Sequence, residues 1–286
     1  VLLGVSAVVY VAVVAVLVAG LAHAPTRPSH RKQAWTIGAA GVATILTLLV
    51  ILGASVAIGH DMHPPRESAE MTVKVIGHQW WWELQYPGHQ PNEMVVTANE
   101  LHIPVRTRVL VELSSRDVIH SFWVPALHGK RDLIPGHDSS TVIEAEHPGL
   151  FHGQCAEFCG VGHARMSLLV VAEDRTAFST WLSHQREAAR SASSPQSQRG
   201  HDFLLGNTCP ACHTLLGTPA GGAVGPDLTH FASRRSLGSA TRANDVTHLK
   251  AWIRDPSDVK PGVRMPGHAF TEQELDDLIA YLGDLQ

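Results

Sequence analysis

The stretch Cys155-Ala156-Glu157-Phe158-Cys159-Gly160-Val161-Gly162-His163-Ala164-Arg165-Met166 gathers two thiols, an imidazole and a thioether in one short loop. Together these form the soft donor set that suits copper, whereas a thioether is a poor ligand for zinc. A disulfide is the ordinary alternative for two cysteines in an oxidising compartment. It leaves His163 and Met166 unexplained, so the loop reads as a metal site, with His120 from an earlier segment as a further ligand. Around it lie short β-like runs at 71–76, 93–97, 108–113, 141–146 and 167–171. Turns at Pro87-Gly88, Pro135-Gly136 and Pro148-Gly149 separate them. That spacing predicts a sandwich or barrel of about a hundred residues, followed by a helix over 177–190.

The other two cysteines stand in Cys209-Pro210-Ala211-Cys212-His213, the attachment signature of c-type haem. Two thiols add to the porphyrin vinyl groups and the adjacent histidine faces the iron. A redox dithiol does not need that histidine, and a zinc site needs further ligands. Met265, in Gly262-Val263-Arg264-Met265-Pro266, is the candidate sixth ligand; alone, a methionine is ordinary core filler. Gly225-Pro226-Asp227-Leu228 is placed to buttress His213. Helical patterns at 201–207, 245–254 and 271–285 predict an all-α domain, the last opening with Thr271 and Glu274 at capping-box spacing. The Ser-rich run 191–198 reads as a flexible linker.

The 286 residues carry a net charge of −4, which gives no support to a nucleic-acid partner. Only 17% are charged, and unevenly. Residues 1–22 are uncharged and almost entirely Val, Ala and Leu, and 35–58 are also uncharged. Each is long enough to span a bilayer as a helix, so the pair predicts a transmembrane hairpin; a signal peptide is the alternative for the first. Arg27, Arg31 and Lys32 between them place that loop in the cytoplasm and the rest of the chain on the outer face. The expected organisation is a membrane hairpin at 1–59, a copper domain at 60–190, a linker at 191–199 and a haem domain at 200–286.

The copper loop, with His78-Gln79-Trp80-Trp81-Trp82, Asp117-Val118-Ile119-His120-Ser121-Phe122-Trp123 and Lys130-Arg131-Asp132-Leu133-Ile134-Pro135-Gly136, resembles cytochrome c oxidase subunit 2 from about residue 35 to 171. Residues 198–286 resemble class I cytochrome c, and the combination is similar to the caa-type oxidases. The resemblance implies a cupredoxin-like β-barrel holding a binuclear copper-A centre. Cys155 and Cys159 would bridge both coppers, His120 and His163 would each bind one, and Met166 and the Glu157 carbonyl would be weak axial ligands. Haem c would be held covalently by Cys209 and Cys212, with His213 and Met265 axial. The Glu157 carboxylate would reach a Mg²⁺ or Mn²⁺ at the boundary with subunit 1. Trp80 would be the point of electron input, though a core or interfacial aromatic is the plainer reading, and it is the reading given to Trp81 and Trp82. Asp117 could steer a basic donor or simply be solvated. Where relatives carry a proton-input glutamate ahead of the second span, this chain has Lys32, so that role does not transfer.

The resemblance therefore implies a bacterial membrane protein with two membrane helices, working as the electron-input subunit of an aerobic oxidase. Its partners would be subunit 1, subunit 3, membrane lipid, and a cytochrome c or quinol–cytochrome c reductase complex as donor. Oxygen reduction would lie in another subunit. The alternatives are the copper-A subunit of a membrane nitric oxide reductase and a membrane-anchored copper or redox sensor. The sensor accounts for one metal site but not for two in series.

Overall fold

The computed structural model describes residues 2–22, 29–61, 66–88, 90 and 93–286, so Arg27 lies outside them. The chain divides into two compact units, 1–62 and 63–286. In the first, α1 spans Leu2–Ala22 and α2 spans His30–Asp61. The second begins ahead of the expected residue 35 because nothing in His30-Arg31-Lys32-Gln33 breaks a helix. Lys32 and Gln33 both donate to the Ser29 carbonyl, at 2.9 and 3.1 Å. The segment His30–Gly59 is long and apolar enough to cross a membrane; the apolar run of α1, Ser6–Ala22, is shorter. Thr36, Thr44 and Thr47 donate their hydroxyls back to the carbonyls of Lys32, Ala40 and Ala43, which lets an apolar helix carry them.

The second unit opens with two five-stranded sheets. One orders β3 (Val95–Ala98), β2 (Trp81–Tyr86), β1 (Met71–His78), β5 (Val109–Ser115) and β8 (Ser139–Ile143). The other orders β4 (Glu100–Pro104), β10 (Ser167–Glu173), β9 (Gly149–Cys155), β6 (His120–Trp123) and β7 (Arg131–Leu133). Side chains alternate along β2 and β5, so Trp82, Leu84 and Tyr86 share one face of their sheet with Val109, Val111 and Leu113, in one core with Phe122, Leu168 and Val170 from the other sheet. This is the cupredoxin-like arrangement, and its short strands β6, β9 and β10 bring the metal-loop residues to one end. Helix α3 (Arg175–His184) packs Phe178 and Trp181 against Tyr86.

The remainder is mainly α-helical, with α4 (Pro195–Gly206), α5 (Val246–Arg254), α6 (Pro256–Val259) and α7 (Glu272–Asp284); the departure from the expected all-α domain is a short two-stranded ribbon, Ser236–Leu237 with Arg242–Ala243. The capping box expected at the start of α7 is present, Thr271 and Glu274 each binding the other's backbone N–H. The expected linker 191–199 is instead largely helix. Ser194 caps α4 through Ser197 N–H, Pro195 takes the first helical position, and Ser193 donates backbone and hydroxyl bonds to Asp284 at 2.9 and 2.7 Å. A Ser-Pro cap followed by polar residues has the composition of a linker, and only the partner at the far end of the chain distinguishes the two.

Candidate functional site

The copper-type ligands converge at one end of the β domain. Cys155 Sγ lies 3.8 Å from Cys159 Sγ, 3.9 Å from His120 Nδ1 and 3.2 Å from the Glu157 carbonyl oxygen. Cys159 Sγ lies 3.6 Å from His163 Nδ1 and 3.8 Å from Met166 Sδ. Each sulfur thus has its own imidazole and one further donor atom beside it, the Glu157 carbonyl oxygen for Cys155 and the Met166 sulfur for Cys159. Both cysteines, His120 and Met166 are buried. Neither cysteine is in a disulfide.

Electrostatics favours a soft cation here. The Cys159 thiol donating to Cys155 pulls the latter down to about 3 against the cost of burial, and His120 adds to the effect. The same pairing, reinforced by burial, pushes Cys159 up. The pair thus favours one thiolate over two, and a metal would displace the remaining proton. Burial alone would lower His120, but its hydrogen bonds to Cys155 and Asp117 outweigh that and raise it. Asp117 accepts from His120 Nε2 at 2.8 Å and from the backbone N–H of Gln79 and Val118 at 2.7 Å. It is thus no solvated surface acid: it fixes the imidazole so that Nδ1 faces the sulfurs.

The haem motif lies on a short 3-10 turn, Cys209–Ala211. His213 Nδ1 donates to the Pro226 carbonyl at 2.7 Å, the expected buttress, which leaves Nε2 as the nitrogen that could bind an iron. Burial depresses His213, keeping the imidazole neutral as ligation requires. Cys209, Cys212, His213 and Met265 line one mainly apolar cavity of about 300 Å³. Arg234 also lines it, and its Nε is buried with no hydrogen-bond partner. A haem, apolar with two carboxylates, fits that wall.

The cavity is not built by the cytochrome domain alone. His78, Gln79, Trp80, Trp81, Asn99 and Asp117 of the copper domain complete it. Trp81 stacks on His78 at 4.3 Å, so it belongs to this wall and not to an interfacial belt. Trp82 is fully buried core against His120 and Phe122. Trp80 joins the two sites. It lines the cavity, donates Nε1–H to the Cys159 carbonyl at 3.0 Å, and lies so close to Gly162 that a Cβ there would come within 2.5 Å of the indole. Sequence reasoning missed Asn99, Arg234 and Lys260 in this cavity, none of which sits in a motif that names its role.

The description "Cytochrome C oxidase subunit II, periplasmic domain" matches residues 88–173 and "Cytochrome c" matches 197–286. Cytochrome c oxidase subunit 2 from Alkalihalophilus pseudofirmus is 36% identical over 253 residues, covering 88% of this chain and 72% of that protein. The chain belongs to the cytochrome c oxidase subunit 2 family. The Bacillus sp. PS3 member of the subunit 2 family is 30% identical, over 77% of this chain and 64% of its own length. The solved periplasmic domain of subunit II of cytochrome oxidase (CoxB) of Bradyrhizobium japonicum is 31% identical, covering 44% of this chain and 97% of that one, with a TM-score of 0.40. The chain thus carries the subunit 2 outer domain with a fused cytochrome c domain, an electron-transport architecture. Those two domains imply a copper-A site and haem c respectively.

Proposed function

We propose that this chain is the electron-input subunit of an oxygen-reducing oxidase. Its cytochrome domain takes electrons from an external donor, and its copper domain delivers them to subunit 1, where oxygen is reduced. Haem c and a binuclear copper-A centre, when bound, supply the one-electron chemistry. Cys209 and Cys212 would attach the haem and His213 and Met265 would ligate its iron, while His120, Cys155, Glu157 (carbonyl), Cys159, His163 and Met166 would hold the copper. The observation carrying this reading is that Trp80 belongs to both sites, lining the haem cavity while hydrogen-bonding the backbone of copper ligand Cys159. Ligands saturated at both sites leave no open position for substrate, which suits a relay.

The same reading makes α1 and α2 a transmembrane hairpin, with Arg31 and Lys32 cytoplasmic and the second unit on the outer face. The Glu157 carboxylate, half-exposed and 3.9 Å from Lys130 Nζ, would meet a Mg²⁺ or Mn²⁺ at the boundary with subunit 1, with subunit 3 and lipid completing the complex. The test is metal content together with the copper EPR signal of the full chain matured with haem and copper. One covalent haem and two coppers per chain, with an electron shared between both coppers, are expected. A single localised copper, or zinc, would refute the relay.

A further inference from the structure

Lys260 is 2% exposed, the least solvent-exposed lysine or arginine among the described residues, and no described carboxylate pairs with it. Its Nζ donates to two backbone carbonyls, Trp80 O in the copper domain at 2.5 Å and Gly238 O in the cytochrome domain at 3.0 Å. It follows α6 directly and opens the turn that runs to Met265. That turn is pressed onto the copper domain. Gly262, at φ +86°, has room for no larger side chain without crowding Val161 and Trp80, at 3.1 and 3.3 Å from an ideal Cβ. Arg264 donates to Gln79 Oε1 at 2.6 Å, and Gln79 Nε2 donates to the Cys159 carbonyl at 2.8 Å.

A buried amino group is an expensive way to glue two surfaces, since apolar side chains of the same volume usually hold as well or better. What an amino group with directed N–H donors adds is register: two particular carbonyls are held at fixed separation. One of them belongs to Trp80, whose indole must stay seated on the copper loop while forming part of the haem cavity. We propose that Lys260 is a positioning residue for electron transfer between the two domains, tying the Trp80 carbonyl to that of Gly238 so that the indole keeps both contacts at once. The inference rests on the relay proposed above.

Interdomain transfer is measured in the assembled oxidase by photoreducing the haem and following oxidation of haem c and reduction of copper-A. In the wild type the interdomain step is expected to be independent of added glycerol, because no domain search precedes it. In Lys260→Met it is expected to slow by about tenfold or more and to become viscosity-dependent. A wild-type rate that falls with viscosity overturns the proposal, and so does a Lys260→Met rate within about twofold of wild type. Should Lys260→Met fail to mature, the wild-type viscosity profile alone decides. Haem c that is reduced without any electron reaching copper, in the wild type, refutes the relay itself and is distinguishable from both.

Discussion

Gly162→Ala perturbs the junction between the two sites by one methyl group. The backbone at Gly162, φ −85° and ψ 6°, is open to any residue, so the only objection to alanine is what its Cβ meets. It would lie 2.5, 2.7 and 2.8 Å from Cδ2, Cγ and Cε3 of Trp80. Carbon atoms rest about 3.5–4.0 Å apart, so the indole has to retreat by roughly 1 Å. Overpacking of this kind costs about 1–3 kcal/mol. Retreat also strains the 3.0 Å bond from Trp80 Nε1 to the Cys159 carbonyl, which is worth about 1 kcal/mol. Together they destabilise the outer unit by about 2–4 kcal/mol, a fall in Tm of roughly 5–12 °C for a unit of this size. The assay is a thermal melt of the matured full chain followed in the copper absorbance, paired with the interdomain electron-transfer rate, which is expected to fall. A Tm within about 1 °C of wild type and an unchanged rate would refute the claim that this loop and Trp80 are one packed element.

Asp117→Asn removes the carboxylate that orients His120, and copper affinity is expected to fall about 10–100-fold; copper retained against a graded chelator reports it, and equal retention would show the carboxylate to be idle. Burial pulls Lys260 down to about 7, the Cys159 sulfur opposing and Arg165 assisting, against 10.5 for a free lysine. Between those values the unfolded chain holds the proton and the folded one has released it, so wild-type stability rises with pH relative to Lys260→Met, by up to about 1.4 kcal/mol per unit. Denaturation midpoints of the two proteins compared from neutral to alkaline pH check this, and parallel curves would exclude it.

Residues whose chemistry is unusual were legible in the sequence. The loop from Cys155 to Met166 and the Cys209–His213 motif are rare enough to announce their ligands, and the structure brings the copper ligands together and lines one cavity with the haem set. Thr271 and Glu274 were legible because a capping box is local. What escaped depends on partners distant in sequence. Asp117 looked like a solvated acid because the acceptor role needs β1 and His120 placed beside it. Trp81 looked like a core or interfacial aromatic because the wall it belongs to is shared with a domain more than a hundred residues later. Lys260 stood out in no pattern, since a lysine in a turn is ordinarily solvated and only the docked surfaces bury it. Pro195 and the serines around it were read by composition where position as a helix cap was decisive.

The shared cavity also bears on whether the two outer domains are portable parts. A cytochrome domain cut free before Pro195 would lose His78, Trp80 and Trp81 from the wall around its haem, leaving that edge to water. Solvent exposure is among the factors that set a haem's reduction potential. A truncated domain is thus a different electron carrier from the same residues in the intact chain, and measurements on the fragment describe the fragment.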